Sequence, residues 1–253
     1  MNDVRQFVDI HSHVVFGADD GAGTLDEAIE LMKRDRAEGA VAVFATPRYD
    51  PETGFVPEAS FVLEKFAALR EAAAKEIPDL LLFLGSECSC SWDLGRRIRR
   101  NKAFRMNGTE YVLASFPEYG RADVSPEMIR DNLAELQRQG FRPILSGPET
   151  CRALAENRDL VKELAGSGIL FQVNPFNLDR NLSVRTKEAA QWMARERLIS
   201  FIGSDMRGCS PGRTPRVKEG VAWLYAHTDK AYADAVCFGN AVRMLIAGRQ
   251  GSE

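Results

Sequence analysis

The sequence predicts an α/β fold in which short strands alternate with helices and close into a TIM-like barrel. Three observations carry this. β-Branched or aromatic runs recur seven times, segments of helical period separate them, and no Pro/Gly/Ser-rich linker divides the 253 residues. Alternation of this kind implies a parallel sheet with helical crossovers, and about seven such units favour a barrel over an open doubly wound sheet. Nothing resembling G-x-G-x-x-G follows the first run, which argues against a dinucleotide-binding alternative. With 45% hydrophobic residues the chain can bury a large core, and residues 1–253 read as one domain.

The first run, residues 7–10, ends at His11-Ser12-His13; the others are 41–46, 80–86, 111–115, 143–146, 169–174 and 199–204. The helices between them have recognisable ends. Thr24-Leu25-Asp26-Glu27 matches a capping box ahead of Ile29, Leu31 and Met32, and Ser125 is an N-cap before Pro126 at the first helical position. Gly39 and Gly140 follow the last periodic residues, as helix C-caps do. His227 falls on a late helical segment and reads as surface or packing.

A net charge of −3 and a pI near 5.8 argue against a nucleic-acid binder, whose affinity comes from a basic surface. Arg96-Arg97-Ile98-Arg99-Arg100 is the basic cluster, and it reads as a solvated helix face before it reads as a patch for phosphate or acidic partners. No apolar run approaches the roughly 20 residues that span a bilayer. The N-terminus resembles neither a secretory signal nor an anchor, so no membrane insertion is expected. Five irregularly spaced cysteines suit reduced thiols in the cytoplasm. A thiol phosphatase is not expected from them, and buried inert thiols are the better reading.

In a βα-barrel the active site lies at the C-terminal ends of the strands. Those ends carry His11 and His13, Arg48, Glu87, Ser115, Gly147, Asn174 and Asp205. Side chains at i and i+2 of an extended segment share a face, so His11 and His13 can present both imidazoles to one ion. Adding Glu87 and Asp205 gives two nitrogen donors and two carboxylates, a set that suits a borderline divalent cation.

Asp9-Ile10-His11-Ser12-His13, then Asp19-Asp20-Gly21 and a capped helix at Thr24, resembles the opening of the manganese-dependent bacterial tyrosine phosphatases of capsule and exopolysaccharide synthesis. These belong to the polymerase-and-histidinol-phosphatase superfamily. The likeness continues through Ala45-Thr46-Pro47, Gly85-Ser86-Glu87, Tyr111 to Pro117, Arg142 to Leu145 and Gly203-Ser204-Asp205-Met206, in collinear order. It implies a distorted (β/α)7 barrel with metals in its mouth, phosphotyrosine-protein phosphatase activity, and a bacterial tyrosine kinase of polysaccharide export as partner. Whether the barrel forms an oligomer is left open.

The resemblance implies three metals, and each ligand set compares differently. The first site would use His11, His13, Glu87 and Asp205, all present. The second would add residues at positions that here read Ser115 and Gly147. The third would pair Asp20 with two histidines, but Arg48 and Arg207 stand in their places. One divalent metal is therefore expected, with manganese first and iron or zinc as alternatives. Arg48 and Arg207 are expected to flank Asp20, either as an ion-pair network or as donors to phosphate. Arg213, in Gly212-Arg213-Thr214-Pro215, resembles a family arginine that contacts phosphate; an exposed loop arginine is the other reading. Thr150 falls where a second such arginine would be, which puts charge stabilisation in the transition state in doubt. Asp20 is read as an acid or base, or as a charge partner of the arginines. Two rivals remain: a non-catalytic barrel retained as a binding module, and a small-molecule phosphomonoesterase of histidinol-phosphatase type.

Overall fold

The computed structural model describes residues 5–118, 124–179, 183–210 and 213–250. Its strands are β1 (Phe7–Ser12), β2 (Ala40–Ala45), β3 (Arg48–Tyr49), β4 (Leu81–Leu84), β5 (Glu87–Ser89), β6 (Tyr111–Ser115), β7 (Arg142–Ser146), β8 (Leu170–Val173) and β9 (Phe201–Ile202). Every pairing between them is parallel, in the orders β1-β2-β4 and β3-β5-β6-β7-β8-β9. Nine strands arise from seven runs because two runs are interrupted. One break falls at Thr46-Pro47, where proline has no N–H for a ladder; the other falls at Gly85-Ser86. The backbone still pairs across both, since Gly85 N donates to Ala45 O (2.9 Å) and Glu87 N to Pro47 O (3.2 Å).

First and last runs meet at an isolated parallel bridge between Ser12 and Met206. His13 N donates to Met206 O (2.9 Å) and Asp205 N to His11 O (2.8 Å), which lays the His11–His13 and Asp205–Met206 segments side by side. The ladder of β1 shifts register between Asp9 and Ser12. Asp9 neighbours Asp35 of the helix Leu25–Glu38, whereas His11 emerges from the irregularity bonded to Gln172 and Ser146 of β8 and β7. Strict alternation would have put Asp9 and His11 on one face.

Alternate strand residues build two cores. Val8, Ile10, Ala42, Phe44, Leu113, Ile144 and Phe201 pack with Met106 and with Ala241 and Met244 of the last helix, Asn240–Gln250. Phe7, Val43, Ala45, Val112, Ala114, Leu145 and Phe171 pack instead with the helices, among them Ile29, Leu31 and Met32. The expected caps form: Thr24 accepts from Glu27 N and Ser125 from Met128 N, while Gly39 closes the helix Leu25–Glu38 at φ 123°. All five cysteines are free thiols. Among the described residues no helix is long and apolar enough to cross a membrane.

Candidate metal centre

His11, His13, Glu87 and Asp205 converge at the C-terminal ends of the strands. The two Nε2 atoms lie 3.2 Å apart. His11 Nε2 is 3.7 Å from Glu87 Oε1 and 3.6 Å from Asp205 Oδ1; His13 Nε2 is 3.6 Å from Glu87 Oε2 and 3.2 Å from Asp205 Oδ1. Both imidazoles and Glu87 are buried. Asp205 takes the left-handed φ of 53°, a strained conformation for a residue with a Cβ, and its backbone N–H is held by His11 O.

Each imidazole has its outer nitrogen occupied. Gln172 Nε2 donates to Asn174 Oδ1 (2.8 Å), so Gln172 Oε1 is the acceptor that faces His11 Nδ1 at 3.0 Å, and Ser146 Oγ also donates to it (2.9 Å). Asp19 Oδ2 accepts from His13 Nδ1 at 2.6 Å. With both Nδ1 atoms donating, the two Nε2 atoms turn toward one another and toward Asp205, a position that either a proton on His13 or a metal cation satisfies. Donors bound at about 2.1 to 2.2 Å around one ion sit about 3 to 3.6 Å apart; His11, His13 and Asp205 match that spacing and form one compact donor group, while Glu87 stands beside it at 3.6 to 3.7 Å from the two imidazoles. The donor set therefore fits a divalent metal. Burial and the repulsion of Arg207 oppose a proton on His13, yet Asp19 and Asp205 outweigh them and raise its pKa to about 9. Burial works against the Asp19 carboxylate too, but His13 and the N–H groups of Arg48 and Gly21 bring it down to about 2.

Glycine backs both histidines. A Cβ at Gly203 would lie 2.5 Å from His11 Cβ, and one at Gly21 would lie 2.5 Å from His13 Cβ. Serine and a buried acid hold the opposite strand: Asp9 accepts from His11 N (3.0 Å), Ser204 N (2.8 Å) and Ser204 Oγ (2.5 Å), which fixes the turn before Asp205.

The arginines divide differently from the sequence expectation. Arg207 does reach Asp20, with Nη1 at 3.0 and 3.2 Å from its two oxygens, and it also grips Asp205 Oδ1 at 2.8 Å. Arg48 does not flank Asp20. Its guanidinium pairs with Glu87 Oε2 at 3.2 Å, because β3 and β5 place Arg48 directly opposite Glu87 in register, and its backbone N–H bonds Asp19 (2.6 Å). Arg48 Nε is buried with no hydrogen-bond acceptor. Burial opposes charge on Arg207, Glu87 and Asp205 alike. Attraction prevails: Asp205, Glu87 and Asp20 keep the Arg207 pKa raised, Arg207 and the two imidazoles lower that of Asp205, and His11, His13 and Arg48 lower that of Glu87. Arg213 is exposed and donates to Asp20 O and Arg207 O, while its own carbonyl accepts from Arg207 N (2.8 Å), so it clamps two loops together.

Three functional neighbours escape the sequence reading. Asp19 and Gln172 orient the histidines; Asp19 stands inside the Asp19-Asp20-Gly21 segment, next to the Asp20 that the sequence favours. Glu149 is fully buried and accepts from Asn174 N and Asn177 Nδ2 (both 2.9 Å), and Asn174 Nδ2 lies 3.4 Å from Asp205 Oδ2. Burial raises Glu149 to about 7 against those hydrogen bonds. Ser115 and Gly147 bring no ligand here, although Ser115 lines a cleft of about 260 Å³ together with Arg48, Glu87, Ser89 and Phe116.

A family model for capsular polysaccharide synthesis proteins, CpsB/CapC, matches residues 7–246. The tyrosine-protein phosphatase CpsB of Streptococcus agalactiae serotype V is 25% identical over 243 residues, which cover 94% of this chain and 98% of that protein. A putative tyrosine-protein phosphatase CapC of Staphylococcus aureus is 28% identical over 198 residues, covering 78% and 76%. Among solved structures, the metal-dependent tyrosine phosphatases YwqE of Bacillus subtilis and CpsB of Streptococcus pneumoniae superpose with a TM-score of 0.85 at 24% identity, over 95% of this chain and 94% of that one. A phosphotriesterase homology protein of Escherichia coli gives 0.58 at 10% identity, over 96% and 99%. These superpositions share the fold. With the family model spanning residues 7–246, the chain belongs to the CpsB/CapC family of capsular polysaccharide synthesis.

Proposed function

We propose that this protein is a metal-dependent protein-tyrosine phosphatase of capsular or exopolysaccharide biosynthesis, working with one divalent cation on His11, His13, Glu87 and Asp205. The observation that carries it is the convergence of both Nε2 atoms, 3.2 Å apart, on Asp205 while both Nδ1 atoms are engaged elsewhere. Charge balance supports a single ion. Four carboxylates (Asp19, Asp20, Glu87, Asp205) against two guanidiniums (Arg48, Arg207) leave two negative charges, the complement of one divalent cation.

Manganese is favoured, with iron next, because four protein ligands would complete a tetrahedral zinc shell while a metal that expands toward six keeps positions open. Held by these residues, such an ion would supply positive charge for the phosphoryl oxygens and would lower the pKa of a water. The chain's own part is positioning. Arg48, whose side chain lines the 260 Å³ cleft, is the guanidinium placed to donate to an equatorial phosphate oxygen. Arg207 keeps Asp205 and Asp20 in place, and Asp20, a third exposed, is the carboxylate within reach of solvent for proton exchange. Arg213 acts on the site through the loops it joins. The substrate class is a phosphotyrosine protein, with a tyrosine kinase of polysaccharide export as the partner, and five free thiols suit the cytoplasm.

A second reading is a catalytically silent barrel, favoured by the way Arg48 and Arg207 occupy carboxylates that would otherwise meet metal. One experiment separates the two. Elemental analysis and turnover of a phosphotyrosyl peptide and of small phosphomonoesters are measured for wild type and His11→Ala, each with added manganese, iron or zinc. We expect about one metal per chain and peptide hydrolysis, both lost in the variant. Metal without turnover on any phosphomonoester favours the silent barrel, and a stoichiometry near three removes the one-ion proposal.

A further inference from the structure

We infer that the basic cleft between the loop after β3 and the short helix Leu94–Arg99 docks an acidic segment of the phosphorylated protein substrate. The inference rests on the phosphatase reading above and specifies the substrate it takes. The cleft, about 410 Å³, is lined by Arg96, Arg97, Arg100 and Lys102 on one side and by Tyr49 and the 56–58 segment on the other. A chain of net charge −3 gathers four cations there.

Its two carboxylates are already engaged. Asp93 is bonded by Arg97 Nε (2.8 Å) and Ser91 Oγ (2.9 Å), and Glu58 pairs with Lys102 (3.6 Å). That leaves Arg96 and Arg100 without an acidic partner among the described residues. They stand four residues apart, Arg96 on the short helix and Arg100 as its C-cap, where like charges repel, and both are exposed. An acidic segment laid along them would relieve the repulsion.

Two further features suit a protein ligand. Trp92 is 64% exposed, and the Arg96 guanidinium sits 5.3 Å over its ring, a cation and an aromatic face presented together at the rim. The cleft is also continuous with the centre through the chain: Tyr49 follows Arg48, pairs with Cys88 next to Glu87, and lies with its hydroxyl 3.5 Å from Arg97 Nη1. A peptide whose phosphate reaches Arg48 therefore has a cationic groove beside it for acidic neighbours. A small phosphomonoester has no use for that groove.

The test uses the full chain loaded with manganese, and the double variant Arg96→Glu/Arg100→Glu. Three substrates are compared: a phosphotyrosyl peptide flanked by Asp and Glu, the same peptide with those residues changed to Ser and Gln, and a small aryl phosphate. We expect kcat/KM at least tenfold higher for the acidic peptide, mostly through KM. In the variant that preference should fall below twofold, with aryl phosphate turnover within twofold of wild type. Equal kcat/KM for the two peptides in wild type, or a preference that survives in the variant, overturns the inference and leaves the phosphatase reading intact. Binding of fluorescent, non-hydrolysable phosphonate versions of both peptides gives the same comparison without turnover, so the acidic preference is measurable even in a catalytically silent barrel. Displacement of the acidic peptide by an equal charge of polyphosphate or RNA would show a general anion surface and also overturn it.

Discussion

On the β1 side of the barrel mouth each imidazole is fixed through its outer nitrogen, to Gln172 or to Asp19, and its inner nitrogen is left for a ligand bond. On the β3 and β9 side two guanidiniums sit directly on the ligand carboxylates, Arg48 on Glu87 and Arg207 on Asp205. One side is prepared for a cation and the other already contains two. A metal entering between them gains the histidines outright but shares the carboxylates with arginine. On the one-ion proposal, the arginines would limit how many ions the cluster takes, and the histidines with their outer acceptors would set how tightly an ion is held.

The largest effect on this comparison should come from Arg207→Met. Removing a mostly buried guanidinium from Asp20, Asp205 and Glu87 leaves carboxylates uncompensated, which typically costs about 3 kcal/mol. We expect a lower denaturant midpoint in the metal-free protein, recovered in part by manganese, and uptake of more than one ion by elemental analysis. An unchanged metal-free midpoint would mean that Arg207 does not balance the cluster.

Asp19→Asn probes the other side. The amide keeps the shape but loses the charge behind His13, and loss of an outer acceptor typically weakens metal binding about tenfold or more. Competition with a fluorescent chelator measures it. An affinity equal to wild type would show that His13 needs no carboxylate to be held.

The most general probe is pH, taken in steps of one unit. Because the folded pKa of His13 is raised from 6.5 to about 9, its contribution to metal-free stability is fully present below about pH 6.5 and is lost as pH rises through 9. Metal binding runs the other way, since it needs Nε2 without a proton. Affinity should rise by about tenfold per pH unit below 9 and level off above. Asp19→Asn should move the plateau to lower pH, and chelator titrations at four pH values decide whether it does.

Sequence alone picks out the four neighbouring candidates His11, His13, Glu87 and Asp205 because strand ends are marked by local composition, and polar residues closing apolar runs stand out. The alternation of runs and helices carries the fold for the same reason. What it misses depends on contacts far apart in the chain. Gln172 meets His11 across 161 residues, and Arg48 meets Glu87 through strand register, which no local pattern encodes. Asp19 is within reach, since an acidic residue six positions after His13 in a turn is a candidate acceptor, but adjacent Asp19 and Asp20 cannot be ranked without the turn's geometry. The strand break at Thr46-Pro47 is also marked by its proline. Glu149 has no such mark.

Gly203 and Gly21, placed behind the two imidazoles, bear on how this protein would lose its activity. A single added methyl group at either position displaces a histidine by its Cβ, with every ligand, acid and arginine still present in the sequence. Loss of metal can therefore arrive silently, through changes that an inventory of ligand residues would score as intact. Any variant judged active because it retains His11, His13, Glu87 and Asp205 has to be checked at two residues that have no side chain at all.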